Sequence, residues 1–268
     1  MKRSRALLLF VACALALAAV RDARATEPPK DWEVELAPYG WLAMAHGSVD
    51  TARFGRESFT VDMHDVLSSI DLGAMGAVKA RYRRFVALFD VAWAKLSDEG
   101  GIGDSLVRYD VTAKLGWFEA LGGYRVYERP GGLLGGPSAS DQQIFGIDLL
   151  TGITYVWTNT ELDLHRNPVL PIPPQERHLQ VSDHFVAPQL ATRFTNDFTD
   201  RIRHETLLAL GGFGAGEAPN LTWQATSTLS YRFTERWMIG LGYRALGLRE
   251  SDFHVTFHGP ILGLGYRF

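Results

Sequence analysis

Residues 107–117 read Val-Arg-Tyr-Asp-Val-Thr-Ala-Lys-Leu-Gly-Trp. Odd positions supply Val, Tyr, Val, Ala, Leu and Trp, and even positions supply Arg, Asp, Thr, Lys and Gly, which is the period-two pattern of a strand with one apolar and one polar face. The same grammar returns at 221–233, where Leu221, Trp223, Ala225, Leu229, Tyr231 and Phe233 share a face opposite Thr222, Gln224, Thr226, Thr228, Ser230 and Arg232. Such strands suit a soluble sandwich with apolar faces inward or a membrane barrel with apolar faces outward. Aromatic placement selects the barrel. Trp93, Trp117, Tyr155, Trp157, Trp237 and Tyr243 fall near strand ends on the apolar face, where the interfacial girdles of a barrel lie, and the strands run to ten or more residues.

Segmentation by alternation and turn residues predicts an all-β fold, a single transmembrane antiparallel β-barrel of about ten strands, with eight or twelve as alternatives. The strands cover 32–44, 72–82, 85–96, 105–127, 142–157, 178–194, 201–211, 221–233, 236–246 and 254–268. An even number places both termini at one end, with the short connections Arg83-Arg84, Thr195 to Asp200 and Thr234-Glu235 on the periplasmic side. Ala45 to Asp71, Ser97 to Asp104, Thr158 to Arg177, Gly212 to Asn220 and Gly247 to Phe253 become extracellular loops. Glu128 to Asp141 is a long Gly/Pro/Ser-rich periplasmic exception. A short helix is expected at 62–70 in the first extracellular loop, with Asp62 as N-cap and Val66, Leu67 and Ile70 on one face. In strand 105–127 the apolar parity that includes Trp117 conflicts with an outward Tyr124 and Val126, so a bulge is expected near Trp117 to Ala120.

The chain of 268 residues is 46% hydrophobic and 21% charged, which excludes a disordered chain. Lys2, Arg3 and Arg5, the apolar run Ala6 to Val20 and Ala23-Arg24-Ala25 read as a signal peptide over 1–25, which leaves 26–268 as the barrel domain. The mature chain then holds 22 basic and 29 acidic residues and no cysteine, because the lone Cys13 lies in the leader. Nucleic acid is therefore not an expected partner, and neither a disulfide framework nor a thiolate metal site is encoded.

All five strands that run toward the termini end in an arginine between apolar or aromatic neighbours: Arg81, Arg125, Arg193, Arg232 and Arg267. The pleat turns each arginine inward and its neighbours toward headgroups, which predicts a periplasmic-end arginine layer with Glu33, Glu35 and Glu205 as partners. Higher in the lumen the expected lining residues are Lys79, Asp90, Arg108, Asp110, Lys114, Asp148, Gln189, Gln224 and Arg244, as a paired network that leaves at most a narrow path. Ser182-Asp183-His184 has the residue types of a hydrolase, but consecutive strand residues point to alternate faces and cannot converge without other strands. Gly240, Gly242 and Ala245 match a phosphate-loop spacing inside a strand, where it has no helix N-terminus to serve. No catalytic, cofactor or metal site is expected.

The terminal Leu262, Leu264, Tyr266 and Phe268 alternate toward a final phenylalanine and resemble the insertion signal of bacterial outer-membrane barrels. Wider pieces resemble a family of roughly 250-residue proteobacterial outer-membrane β-barrel proteins of unassigned function. They are Pro38-Tyr39-Gly40-Trp41-Leu42, Leu149-Leu150-Thr151-Gly152 with Tyr155 and Trp157, Gly211 to Gly216, Leu221-Thr222-Trp223-Gln224, Gly242-Tyr243-Arg244 and His258-Gly259-Pro260. The resemblance implies a porin-like barrel in the outer membrane of a Gram-negative envelope. Its expected partners are outer-membrane lipid and lipopolysaccharide, the barrel-insertion machinery and a small solute. The expected role is non-enzymatic: envelope structure, or narrow passage or binding of that solute. The rival is an outer-membrane hydrolase or acyltransferase with an active site at the rim.

Overall fold

The computed structural model describes residues 32–51, 55–62, 64, 69–102, 107–133, 143–166, 176–251 and 253–268. Twelve strands run in chain order: β1 (Trp32–Trp41), β2 (Met44–Thr51), β3 (Gly55–Val61), β4 (Ile70–Tyr82), β5 (Phe85–Ile102), β6 (Val107–Pro130), β7 (Ile144–Arg166), β8 (Glu176–Asp197), β9 (Ile202–Gly212), β10 (Leu221–Arg232), β11 (Trp237–Arg249) and β12 (Phe253–Arg267). Ten of them, β1 and β4 to β12, pair with their sequence neighbours, and β1 closes the ring against β12 through Glu35↔Arg267 and Leu36↔Tyr266. Closure leaves no edge in the ring, the condition for strands to cross a bilayer. The ten are those expected from alternation. The residues proposed as the signal peptide lie outside the described residues.

Parity decides what each side chain meets. On β10 the exposed Leu229 and Tyr231 point outward, while Thr222 and Gln224 are buried inside. Phe85, Phe89, Val91, Phe118, Leu149, Ile153, Leu190, Leu208, Leu241 and Leu262 continue this exposed apolar belt. Aromatic pairs ring the end that holds the termini: Trp32 on Tyr82 at 4.6 Å, Phe85 on Tyr124 at 5.4 Å, and Trp237 on Tyr266 at 4.8 Å between ring centroids. A second row, Ala74, Trp93, Gly116, Trp157 and His184, links partners across β4 to β8 near the other interface. Gly116 is required there because a Cβ would lie 2.0 Å from Trp157 Nε1, and Gly247 sits beneath Trp223 in the same way.

At the level of that row the pattern inverts. Trp117 is buried inside with Leu115, whereas Lys114 reaches Glu161 on the outer wall at 3.2 Å. β5 to β8 reach 18, 24, 23 and 22 residues, more than a tilted membrane strand needs, so their upper halves stand in water outside and line a cavity inside. Sequence alternation assigned Trp117 outward and Asp110 and Lys114 inward; the structure corrects all three. The bulge expected at 117–120 is also corrected. Pairing there is continuous on both sides, and the slip lies between Arg125 and Tyr127, where Val126 is extra.

The described parts of two expected loops prove to be strand, since β5 runs on to Ile102, β7 runs to Arg166 and β8 begins at Glu176. The first extracellular connection folds back as the β2–β3 hairpin, which pairs with the upper end of β12 through Phe257↔Ala45 and continues the wall beyond Trp41. The helix expected at 62–70 falls mostly outside the described residues, and no helix is among the described elements. At the opposite end, Arg83 makes the two-residue turn between β4 and β5 in the left-handed region, with φ of 55°.

Candidate functional site

The lumen holds three stacked levels, and each is built from inward parity. The lowest is ionic. Arg125 Nε donates to Asp148 Oδ1 at 2.7 Å and Arg193 Nε donates to Asp148 Oδ2 at 2.8 Å, so one wholly buried carboxylate serves two guanidinium groups. Glu33 stands among Arg81 at 2.8 Å, Arg267 at 3.0 Å and Arg203 at 3.7 Å. Arg203 also binds Asp197 at 2.6 Å, and Arg232 donates to the Asp200 carbonyl at 3.1 Å. Lys79 caps this layer, paired with Glu35 at 3.3 Å and with Glu205. Low effective dielectric makes such pairs strong and makes the loss of one member costly.

All five strand-end arginines therefore stand in this layer, with carboxylates that only partly match the expected set. Glu33 serves the arginines, Glu35 and Glu205 face Lys79, and Asp148, Asp197 and Glu128 complete the layer. Only about 30 Å³ of space remains among these side chains.

The middle level is a cavity of about 160 Å³ beside Lys79, Glu119, Gln224, Thr226, Thr228 and Ser230. A clamp roofs it. Arg244 Nη1 donates to Tyr39 Oη at 2.8 Å and to Asp90 at 3.0 Å, Arg244 Nη2 donates to Gln224 Oε1 at 3.0 Å, and Tyr39 Oη donates to Asp90 at 3.0 Å. The Arg244 guanidinium also lies 5.4 Å from the Trp41 ring centroid and 5.8 Å from that of Trp117.

Above the clamp a cavity of about 730 Å³ is walled mainly by apolar side chains, among them Met75, Leu115, Phe185, Leu246, Val255 and Phe257. Leu179 and Val181 continue the inward face of β8 toward the mouth and are 52% and 67% exposed. This volume lies within the range of small-molecule sites.

Of the expected lumen residues, Lys79, Asp90, Asp148, Gln189, Gln224 and Arg244 face inward. Gln189 donates to Thr222 Oγ1 at 2.8 Å rather than lining open space. Lys114 and Asp110 lie on the outer parity, because the cavity wall there is the apolar face. The Arg108 side chain lies outside the described residues. Glu119, Phe185 and Leu246 are not singled out by the sequence, Tyr39 and Trp41 enter it only through the family resemblance, and alternation places Leu115 and Trp117 on the wrong side. One signal points to Leu115, Trp117 and Phe185: strands longer than a bilayer crossing, such as β6 and β8, must change which face is wet.

Ser182, Asp183 and His184 alternate as expected. Ser182 Oγ donates to Asn159 at 3.2 Å on the outer wall, and Asp183 lines the upper cavity. His178 and Asp163 meet at 2.6 Å on the same outer wall, but Ser182 lies four strand residues away, roughly 13 Å at ordinary strand rise.

The fold and this lumen define a membrane-spanning antiparallel β-barrel of ten strands with an occluded interior. No protein-family model matches the chain, and no curated protein matches it in sequence. Among solved structures it is similar to the outer membrane protease OmpT from Escherichia coli at 8% identity, over 92% of this chain and 99% of that one, with a TM-score of 0.51. It is also similar to the translocator domain of the autotransporter NalP from Neisseria meningitidis at 14% identity, over 99% and 98%, with a TM-score of 0.46. The outer-membrane barrel fold is what the likeness to OmpT shows.

Proposed function

We propose that this is a non-enzymatic outer-membrane barrel, exported by a cleaved signal peptide, that binds a small apolar solute in the outward half of its lumen. The carrying observation is the apolar cavity of about 730 Å³ set on the Arg244 clamp, with a packed ionic layer below. An open pore needs a continuous wet path, and two polar layers interrupt this lumen. Apolar walls inside a strand extension that is polar outside serve no membrane-anchoring purpose, so their burial is accounted for by an apolar occupant.

The test uses the refolded full barrel in lipid nanodiscs with tritiated decane as the probe. The protein should retain decane above the level of empty nanodiscs, and Leu246→Trp, which fills the cavity, should remove the excess. Planar bilayer recordings should show no steady open-channel current. No excess decane, or a sustained ohmic current, would refute the reading. Peptide or ester hydrolysis by the refolded protein that is lost in His178→Gln would favour the rival hydrolase instead.

A further inference from the structure

The floor of the upper cavity has a particular chemistry. Trp41 Nε1, Trp117 Nε1 and Arg244 Nε are buried donors without an acceptor, and all three belong to residues that line this cavity. Arg244 and Trp117 are only 3% and 8% exposed. Buried donors are ordinarily satisfied, so a cluster of three beneath a mainly apolar cavity marks where an acceptor belongs.

Charge selects which acceptor. Arg244 is the single cation among the described lining residues, and Asp90 already neutralises it at 3.0 Å. Asp183, Glu217 and Glu250 line the same walls, and buried Glu119 lies just below the clamp. A carboxylate or phosphate would enter against this acidic surround without a free cation to meet it. An ammonium would bring further donors to a floor made of donors. What remains is an uncharged acceptor on an apolar body.

Resting on the solute-binding reading above, we infer that the cavity selects neutral apolar molecules carrying a carbonyl-type acceptor, such as an ester, ketone or aldehyde. The acceptor seats between the Trp41 and Trp117 indoles against Arg244. The hydrocarbon extends upward along Leu115, Phe185, Leu246 and Phe257.

The experiment compares three probes that share a ten-carbon chain on the refolded barrel in nanodiscs: methyl decanoate, decane and decanoate, each corrected for empty nanodiscs. Methyl decanoate should bind roughly fivefold tighter than decane, the gain expected of about one net hydrogen bond, and decanoate should bind more weakly than either. The double variant Trp41→Phe, Trp117→Phe should lose the ester-over-alkane preference while still binding decane. Each single variant should lose part of that preference, which keeps the test decisive if the double variant does not assemble. Heat-modifiable mobility on gels confirms folding of every variant. Decanoate as the tightest probe, or an undiminished ester preference in the variants, would overturn the inference while leaving the cavity reading intact. Failure of decane itself to bind would sink both.

Discussion

The two halves of the lumen obey opposite rules. Below the Arg244 clamp, charged inward residues are paired around Asp148, Glu33 and Lys79 beside a packed apolar cluster of Val86, Leu121 and Leu150, while outward residues are apolar because lipid covers them. Above it, the inner wall of β5 to β8 is apolar, with Leu115, Trp117 and Phe185, while Lys114, Glu161 and Asn159 face out. The same period-two strand continues through both halves. Only the surroundings change, and so the lower half is built to hold the barrel closed while the upper half is built to hold something else.

That contrast can be broken most forcefully at Asp148. Asp148→Ala strands the Arg125 and Arg193 guanidinium groups in a buried site and should destabilise the refolded barrel by about 3–5 kcal/mol, read from urea unfolding followed by tryptophan fluorescence. A loss below about 1 kcal/mol, the scale of exposed pairs, would show that the lower layer is a solvated cluster.

Next in size is a pair of double substitutions. Glu33→Gln with Glu35→Gln removes the partners of Arg81, Arg267 and Lys79 and should lower stability by about 2 kcal/mol or more. Asp98→Asn with Glu99→Gln alters exposed acids on the extension of β5 and should change it by less than about 1 kcal/mol. Equal effects would erase the distinction between the halves.

Leucine truncation sharpens the comparison within apolar residues. Leu150 is 4% exposed and packed in the lower cluster with Val86, Leu121 and Ala191, so Leu150→Ala should cost about 3 kcal/mol. Leu246 borders a cavity that already exists, so Leu246→Ala should cost about 2 kcal/mol or less. A larger loss at Leu246, in parallel denaturant titrations, would mean that the upper half is as tightly packed as the lower.

The smallest stability effects belong to the outer wall and the terminus. Lys114→Ala removes a half-exposed pair with Glu161 and should shift stability by less than about 1 kcal/mol. Deleting Phe268, which is 61% exposed, should likewise leave stability nearly unchanged. It should still reduce the heat-modifiable barrel recovered in the outer-membrane fraction, if that residue is read during insertion. Undiminished recovery would remove Phe268 from any insertion role.

Part of this site was legible before any coordinates. Arg81, Arg125, Arg193, Arg232 and Arg267 end five strands at equal parity, and ring closure alone gathers equal parities at one level. Their carboxylates were less legible, because Asp148 and Asp197 reach the layer through register between strands, which no single strand displays. The clamp was legible as components, Asp90, Gln224 and Arg244, but Tyr39 joins it across a sequence separation of 51 from Asp90 and 205 from Arg244. The upper cavity is not legible in this way, because an apolar face has the same alternation whether lipid or an enclosed cavity covers it.

Alternation, turn residues and strand-end arginines determined the strand type, the ten membrane-spanning strands and the ionic layer, since these depend on local parity and on closure. Which way an apolar face points was decided by tertiary structure alone. A strand with one greasy face carries no mark of its own height. Trp117 and Leu115 turn inward because pairing is continuous along β6 from the buried Glu119, which shares their parity, and above the outer aromatic row, where water replaces lipid outside, the only dry surface left is the one the barrel encloses.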